Sequence, residues 1–222
     1  MKIATWNLMR PTAGTLSRNL FFHEILKKCD ADILVLTETN SVIDPGKRYF
    51  SRSTKELPKK IEDFTYSKGE NRASIFSKFP FGRDLKTYDE YTSVCSEVLT
   101  PYGPLIIYAT IIGVTGGKDE RFVLDFESQK ADISDLKGHL CIAGDFNISF
   151  SGYAYPGLNK ISEANQFFES LNIQILTRDL PGSPDHIAIS RSFIKNRPFQ
   201  FSALPTHKKQ SDHNLVLVDL PC

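Results

Sequence analysis

The sequence predicts one α/β domain, and three observations support this prediction. Short apolar runs typical of buried strands alternate along the chain with at least three stretches of helical spacing. No low-complexity linker divides the 222 residues, a length that suits one large domain or two small ones. The composition, 41% hydrophobic and 24% charged, is that of a globular protein with a sizeable core.

The first half of the chain predicts a strand–helix–strand unit followed by further strands. A helix is expected over residues 16–29, where apolar side chains recur at helical spacing, and the apolar run 33–36 indicates a strand buried on both faces. Residues 41–69 are polar, basic and interrupted by proline, which indicates loops with short pieces of strand. Further strands are expected at residues 2–6, 73–77, 94–99 and 105–112, the last two as a hairpin.

The second half predicts two more helices among short strands. Apolar spacing indicates helices over residues 121–136 and 161–171, and an aromatic loop with glycine and proline is expected at residues 150–158. The strands are expected at residues 140–143, 173–176, 186–190, 199–204 and 215–220.

Charge is balanced over the whole chain but uneven along it. The formal net charge of +1 excludes a global field that would attract nucleic acid or a membrane. Residues 47–86 nevertheless hold eleven Lys/Arg against five Asp/Glu, and residues 191–209 hold five Lys/Arg and no acid. Such clusters are either solvated faces or the lining of a site for an anionic substrate.

The cysteines and the start of the chain indicate a reducing compartment. Cys29, Cys95, Cys141 and Cys222 show neither CxxC pairing nor metal-ligand spacing, so free thiols are expected. The chain opens on strand-like residues 2–6, which leaves no room for a signal peptide, and no apolar run approaches the ~20 residues of a membrane span. We therefore expect a cytoplasmic protein without a membrane partner, and no obligate protein partner is evident.

Residues 140–149 carry the most informative motif. The first four are apolar and predict a buried strand, and Gly144 permits a close backbone approach. Asp145 and Asn147 then point the same way in an extended chain, with Phe146 opposite. This pair suits a hydrolytic centre, in which the carboxylate orients or deprotonates a water molecule and the amide donates a hydrogen bond to an oxyanion. The alternative is a plain turn, because Gly, Asp and Asn all favour turns.

Polar side chains also stand at the ends of other predicted strands. Asn7 ends the first strand, and Glu38 follows a wholly apolar one, where a carboxylate is costly unless it is solvated, paired or bound to a metal. His213 precedes the last strand together with Asp212 and can exchange protons near neutral pH. Asp185 is a candidate to hold that imidazole in one tautomer. The alternatives are turns, a solvated strand end and a loop histidine.

Together these side chains predict a hydrolytic site for a hard metal ion. Ligands of open α/β sheets collect at the ends of strands. Oxygen donors that leave coordination positions for water and phosphate suit Mg²⁺, and no Cys/His cluster suggests zinc.

With these motifs the sequence resembles the endonuclease/exonuclease/phosphatase superfamily, which has a deoxyribonuclease-I-like fold. The matching pieces occur in the family's order over nearly the whole chain: Thr5-Trp6-Asn7, residues 33–38, residues 73–80, Gly144-Asp145-Phe146-Asn147, Pro184-Asp185-His186-Ile187 and Ser211-Asp212-His213. The resemblance implies one domain over residues 1–222. It implies a four-layer α/β/β/α sandwich, in which two mostly antiparallel sheets pack face to face with helices outside.

The resemblance also implies cleavage of a phosphate ester with Mg²⁺ or Mn²⁺ as the cofactor. Carried over to this sequence, Glu38 is the main metal ligand, Asn7 lies beside it, and Asp212 is a further candidate ligand. These assignments come from the family pattern, in which an apolar strand ends in Gln-Glu; here the pair is Thr37-Glu38.

The catalytic roles are implied in the same way. Asp145 orients or activates the attacking water, and Asn147 donates to the phosphoryl oxygen. His213, held by Asp185, serves as general base or stabilises the pentacovalent phosphorane. The family leaves open how Asp145 and His213 divide these roles.

One position departs from the family pattern. The middle strand usually carries a catalytic His or Tyr, and here Thr110 or Ile111 falls at that position. Losing one phosphate donor would cost about 10²–10³ in rate if nothing replaced it. Thr110, Arg72 and Lys118 are the candidate replacements; without one, the enzyme would be slow or would cleave an easier ester.

The substrate is expected to be read by the loops. Tyr153 and Tyr155 follow the central motif, where they could stack on bases or pack within their own loop. The two basic segments could track a phosphate backbone. We expect a nuclease or phosphodiesterase acting on nucleic acid or nucleotides. The alternatives are a small-molecule phosphomonoesterase, such as an inositol-phosphate phosphatase, and an inactive module that binds phosphate ligands.

Overall fold

The computed structural model describes residues 1–61, 64–113, 116–195 and 197–221. Its helices are α1 (Leu16–Cys29), α2 (Glu120–Asp135), α3 (Leu158–Ser170) and the short α4 (Arg191–Ile194). Its strands are β1 (Lys2–Asn7), β2 (Ile33–Asn40), β3 (Phe50–Ser53), β4 (Lys60–Ile61), β5 (Phe64–Thr65), β6 (Glu70–Ser77), β7 (Phe81–Leu85), β8 (Ser93–Thr100), β9 (Gly103–Ile111), β10 (Leu140–Asp145), β11 (Ile173–Ile175), β12 (Asp185–Ser190), β13 (Gln200–Leu204) and β14 (Leu215–Asp219).

The strands form two six-stranded sheets and one small hairpin. The first sheet has the order β13-β14-β1-β2-β6-β3, and the second has the order β11-β12-β10-β9-β8-β7. Each sheet contains one parallel pair, β1–β2 or β9–β10, because a helix connects those strands. The remaining pairs are antiparallel, and β4 and β5 form the separate hairpin.

Three apolar layers hold the sheets and helices together, and they confirm the predicted sandwich. Side chains such as Ile3 and Cys141 fill the layer between the two sheets. Trp6 of the first sheet packs against α1, and Ile142 of the second packs against α2 and α3. Since side chains alternate along a strand, each central strand feeds both the inner layer and one outer layer.

Most predicted elements are confirmed, with shifted ends. Helix α1 has the predicted bounds, whereas α3 begins at Leu158, inside the segment predicted as an aromatic loop. Strand β2 continues to Asn40, beyond its apolar run. Strand β7 and helix α4 were not predicted, because β7 is a mostly exposed edge strand and α4 is a single turn.

The expected free thiols and the expected absence of a membrane span can each be compared with the structure. Cys29, Cys95 and Cys141 are buried free thiols, and Cys222 lies outside the described residues. Over the ranges given above, none of the helices has both the length and the apolar character needed to cross a membrane.

Gly144 is the point of closest approach between two strands of the second sheet. It pairs with Thr110 of β9, and its φ is +139°, a backbone conformation that side chains rarely adopt. A Cβ at this position would overlap the carbonyl group of Thr110. Glycine is therefore required for β10 to deliver Asp145 at the end of the strand.

We predict that Gly144→Ala lowers the free energy of unfolding by about 4 kcal/mol or more, because the clash falls on backbone atoms that cannot rotate away. Gly157→Ala is the control, since a Cβ there meets nothing within 4 Å. It should change stability by less than about 1 kcal/mol. Urea unfolding of both variants checks the prediction, and equal midpoints would contradict it.

Candidate active site

The polar ends of three central strands face the same space between the sheets. Asn7 is in phase with Ile3 on β1, and Ile3 packs in the inner layer. Asp145 is in phase with Cys141 on β10, which also packs there. Asp185 likewise continues the inward face of β12. The alternation of side chains thus delivers all three polar groups to one edge of the inner layer.

Two of these groups are carboxylates on directly paired positions. Asp145 and Asp185 are register partners in the antiparallel pair β10–β12, and both are buried. Burial, followed by the charge of Asp185, raises the pKa of Asp145 to about 7. Like charges at directly opposed positions repel, so this edge requires a positive charge.

His213 supplies a positive charge from the other sheet, in the segment just before β14. Its Nδ1 lies 2.6 Å from Oδ2 of Asp185, and its Nε2 lies 3.6 Å from Oδ1 of the exposed Asp212. Burial alone would lower the pKa of His213, but the carboxylates of Asp185 and Asp145 raise it to about 10. The two carboxylates thus favour the protonated form of the imidazole, with Nδ1–H donating to Asp185.

Hydrogen bonds connect the backbone of His213 to β1. Trp6 Nε1 donates to the carbonyl oxygen of His213 over 3.0 Å, and His213 N donates to Ser211 Oγ over 3.0 Å. Ser211 Oγ in turn donates to the carbonyl oxygen of Asn7 over 2.8 Å. These bonds fix the imidazole opposite the two aspartates and explain why a serine precedes the Asp-His pair.

The two asparagines hold the carboxylate of Asp145. Asn7 Nδ2 donates to Oδ2 over 3.0 Å, and the backbone N of Asn147 donates to Oδ1 over 2.9 Å. Asn147 has a φ of +51°, and its Nδ2 donates to the carbonyl oxygen of Ile112 over 2.9 Å. Asn7 Oδ1 accepts from Met9 N over 2.8 Å, so both amides are already engaged within the protein.

Glu38 reaches the site because its backbone leaves the strand pattern. By alternation it would face α1, as Leu34 and Leu36 do. Its φ is +44°, and its carboxylate instead lines a cavity with Ile111 of the second sheet. Burial raises the pKa of this carboxyl, whereas the charges of His213 and Arg10 lower it. No residue in the described ranges donates a hydrogen bond to the carboxylate.

The middle strand shows which of two candidate positions faces the site. Ile111 is in phase with Ile107 and Ala109 of the inner layer, so it lies at the site. Thr110 faces the opposite side, where its hydroxyl donates to Gln129 of α2 over 2.5 Å. The structure thus does not bring Thr110 to the site, because strand alternation turns it into the helix layer.

The tyrosines of the 150–158 segment have different surroundings. Tyr155 is partly buried, and its hydroxyl accepts from Gly117 N over 2.7 Å beside the loop that packs on Asn147. The Nζ of Lys118 lies over the Tyr155 ring, 5.8 Å from its centroid. Tyr153 is 67% exposed and contacts Gly182. Tyr155 is thus a support of the loop, and Tyr153 is open to solvent.

Ion pairs occupy much of the basic segment 47–86. Five of its cationic side chains pair with nearby carboxylates: Arg48, Arg52, Lys55, Lys78 and Arg83. Arg72 differs from them, because it is only 9% exposed and lines the cavity with Glu38. Both residues fall between the register pairs Thr37–Ala73 and Thr39–Asn71 of β2 and β6.

Sequence reasoning missed a buried histidine that shapes the central motif. His186 Nε2 contacts the carbonyl oxygens of Ile148 and Ser183 at 3.0 and 2.8 Å, and its Nδ1 lies 3.0 Å from Thr177 Oγ1. Burial lowers its pKa to about 4, so the ring is neutral and Nε2–H donates. The sequence offered one signal for this histidine, namely its position directly after Asp185. Strand alternation turns His186 to the face of β12 opposite the one that carries Asp185.

The residues present fit a divalent cation. Oδ1 of Asp185 is buried without a hydrogen-bond partner in the part of the chain that the structure describes. Ligand atoms of Asp145, Asp185 and His213 lie within 4.8 Å of one another. Among the described residues none donates a hydrogen bond to the Glu38 carboxylate either, so this carboxylate and the free Oδ1 of Asp185 border the site. Hard oxygen ligands of this kind are those that Mg²⁺ and Mn²⁺ prefer.

Comparison with known proteins gives one family match. A family model described as "Endonuclease/Exonuclease/phosphatase family" matches residues 4–213. This range is nearly the whole chain and contains every side chain of the site described above. A search of curated protein sequences finds no match.

The fold is similar to those of several solved structures. An AP endonuclease from Archaeoglobus fulgidus superposes with a TM-score of 0.72 at 15% identity. A 3'-5' exonuclease, NExo, from Neisseria meningitidis does so with a TM-score of 0.71 at 16% identity, and both matches cover 100% of each chain. The human Nocturnin catalytic domain, with bound sulfate, has a TM-score of 0.70 at 17% identity, over 100% of this chain and 93% of that one. Another structure of NExo is described as a 3' phosphatase bound to a product DNA hairpin (TM-score 0.70, 16% identity, 100% of both chains). At these identities the likeness concerns the fold.

We predict that Asp185→Asn lowers the pKa of His213 by about 1–3, because an opposite charge at hydrogen-bond distance is lost. Asp212→Asn removes the same charge from an exposed position 3.6 Å away and should have a smaller effect, since solvent screens it. Titration of the imidazole by NMR in metal-free protein checks both. Equal pKa values in the two variants would contradict the buried pair.

Proposed function

Since the chain belongs to the endonuclease/exonuclease/phosphatase family, we propose that it is a metal-dependent phosphoester hydrolase that cleaves phosphodiester bonds of nucleic acid or nucleotides. The observation that carries this proposal is the convergence of Asp145, Asp185 and His213 within 4.8 Å, beside Asn7. A family match alone would permit an inactive binding module. A buried carboxylate pair compensated by one imidazolium is expensive to maintain, and hydrolysis gives it a use.

His213 is proposed to stabilise charge on the phosphoryl group. Its Nδ1–H is held by Asp185, which leaves Nε2–H free to donate to a phosphoryl oxygen or to the leaving oxygen. Because the pKa of His213 is raised to about 10, the ring enters the reaction carrying a proton. A cation and proton donor is thus a better description of His213 than a general base.

Asp145 is then the proposed base for the attacking water. Both of its oxygens accept hydrogen bonds, from Asn7 and from the backbone of Asn147, so the carboxylate is held in one orientation. A pKa near 7, raised by burial and by Asp185, suits a group that takes a proton at neutral pH. The amide of Asn147 has a second N–H, which is the proposed donor to a phosphoryl oxygen.

Glu38, with Asn7 and Asp212 as further candidates, is proposed to hold Mg²⁺ or Mn²⁺. Within the described ranges, the Glu38 carboxylate and Oδ1 of Asp185 accept no hydrogen bond, which supports a cation at this edge. When bound, the cation supplies Lewis-acid polarisation of the phosphoryl oxygens. Asn7 Oδ1 already accepts from Met9 N, which makes holding Asp145 its more direct task.

The proposed substrate class rests on the neighbours' descriptions and on the exposed rim. The similar structures include an AP endonuclease, a 3'-5' exonuclease and a 3' phosphatase bound to a product DNA hairpin. Tyr153 is exposed enough to stack on a base, and Tyr155 is proposed to shape the same rim. The free thiols suit the cytoplasm as the working compartment.

The proposal is tested with bis-p-nitrophenyl phosphate and Mg²⁺ or Mn²⁺. We predict that His213→Ala lowers kcat by about 10²–10⁴, since the proton donor is lost. His207→Ala, at an exposed histidine, is the matched control and should retain wild-type activity. Equal rates for wild type and His213→Ala would refute the enzymatic proposal and favour a phosphate-binding module.

A substrate panel then decides among the classes. Abasic duplex, single-stranded DNA, RNA and p-nitrophenyl phosphate distinguish a nuclease from a phosphomonoesterase. Turnover of p-nitrophenyl phosphate alone would replace the diesterase proposal with the small-molecule alternative.

We predict that Glu38→Gln raises the Mn²⁺ concentration needed for half-maximal activity by about 10-fold or more, because an anionic ligand is lost. Calorimetric titration of Mn²⁺ gives the same comparison without turnover. Glu169→Gln, on the exposed face of α3, is the control. An unchanged metal titration in Glu38→Gln would remove Glu38 from the metal site.

A further inference from the structure

The middle strand leaves an apolar gap where the site needs a donor. Ile111 of β9 faces the site with a side chain that cannot form a hydrogen bond. In front of it lies a cavity of about 60 Å³ whose lining comes from both sheets and from the β4–β5 hairpin. Its polar wall includes Arg10, Glu38, Tyr66 and Arg72.

Arg72 is a buried cation in this cavity with most of its donors unused. A guanidinium has five N–H donors, and within the described ranges the only hydrogen bond of this one joins Nη2 to the Tyr66 hydroxyl at 3.3 Å. The side chain is 9% exposed, and the acidic groups whose charges act with it are Glu38 and Asp125. A buried cation with unused donors is costly unless an anion completes it.

Tyr66 presents a phenol to the same cavity. It is 7% exposed, and the guanidinium of Arg10 stacks on its ring at 4.7 Å. Glu70 holds Arg10 by an ion pair, so the ring is fixed from behind. Because the Tyr66 oxygen accepts from Arg72, its own hydrogen is left to donate, and no described residue accepts it.

We propose that Tyr66 and Arg72 together bind a non-bridging oxygen of the phosphoryl group under attack. The phenol thus takes over the task of the donor that the middle strand lacks, although it comes from a different part of the chain. This inference rests on the proposed hydrolytic function of the same site. The ligand class is a phosphate ester, mono- or diester, since the non-bridging oxygens are common to both.

The position of the pair suits this task. Glu38 lines the same cavity and lies within the field of His213, so the cavity adjoins the catalytic edge. Leu57, Phe64 and Ile111 contribute apolar surface to its lining. Hydrogen bonds to an anion are stronger in such low-dielectric surroundings than in water.

The decisive variant is Tyr66→Phe, which removes the hydroxyl and keeps the ring under Arg10. It is expected to lower kcat on both bis-p-nitrophenyl phosphate and p-nitrophenyl phosphate by about 10²–10³, with an unchanged Mn²⁺ requirement. Tyr49→Phe is the matched control, because the Tyr49 hydroxyl donates to the Ala31 carbonyl oxygen on the far side of β2. That change should affect the unfolding midpoint and leave kcat unaltered.

Binding of inorganic phosphate gives a readout that does not require turnover. Calorimetry should show at least about 10-fold weaker phosphate binding in Tyr66→Phe and in Arg72→Gln, since charge-assisted hydrogen bonds are lost. If both kcat and phosphate affinity are unchanged in Tyr66→Phe while His213→Ala is inactive, this inference is overturned and the proposed function stands. If wild type cleaves no ester but these variants bind phosphate more weakly, the pocket stands and the hydrolase proposal fails.

Discussion

The repulsion between Asp145 and Asp185 is the constraint around which the site is built. Two buried carboxylates on paired positions of one sheet are tolerated only if a positive charge lies against them. That charge comes from His213 at the edge of the other sheet, so the two halves of the sandwich must pack face to face to complete the site. The hydrogen bonds of Trp6 and Ser211 hold His213 against β1 of its own sheet. The contacts of Asn7 with Asp145 and of His213 with Asp185 then join the two sheets.

Backbone strain is concentrated at this same edge. Seven non-glycine residues of the described chain have positive φ, and four of them border the site: Met9, Arg10, Glu38 and Asn147. A side chain in the left-handed region departs from the alternation of its strand. Glu38 shows the consequence, because regular β geometry would have turned it toward α1. Such conformations persist where the surrounding structure over-determines them, and they cluster at functional sites.

The sequence predicted the site residues at the strand ends better than those whose position depends on strand register or on loops. Asn7, Asp145 and Asp185 could be picked out from the sequence because each stands at one end of a short apolar run. Strand alternation then turns their side chains inward. The same rule separates Ile111 from Thr110, but only once the register of β9 is known. Tyr66 and Arg10 were missed because they lie in loop segments after β5 and β1, where no periodic pattern shows which side chains will meet.

The apolar Ile111 and the phenol of Tyr66 are related, because in our proposal Tyr66 supplies the hydrogen-bond donor that Ile111 does not. A donor on the middle strand would be held by sheet hydrogen bonds, whereas Tyr66 lies beyond the sheet and needs separate support. Arg10, paired with Glu70, supplies that support from one face of the ring, and Arg72 orients the hydroxyl. Among the described residues, the buried Arg72 has no partner of opposite charge at hydrogen-bond distance. The cavity is therefore complete only when an anion enters it, which ties the unusual middle strand to the handling of phosphate.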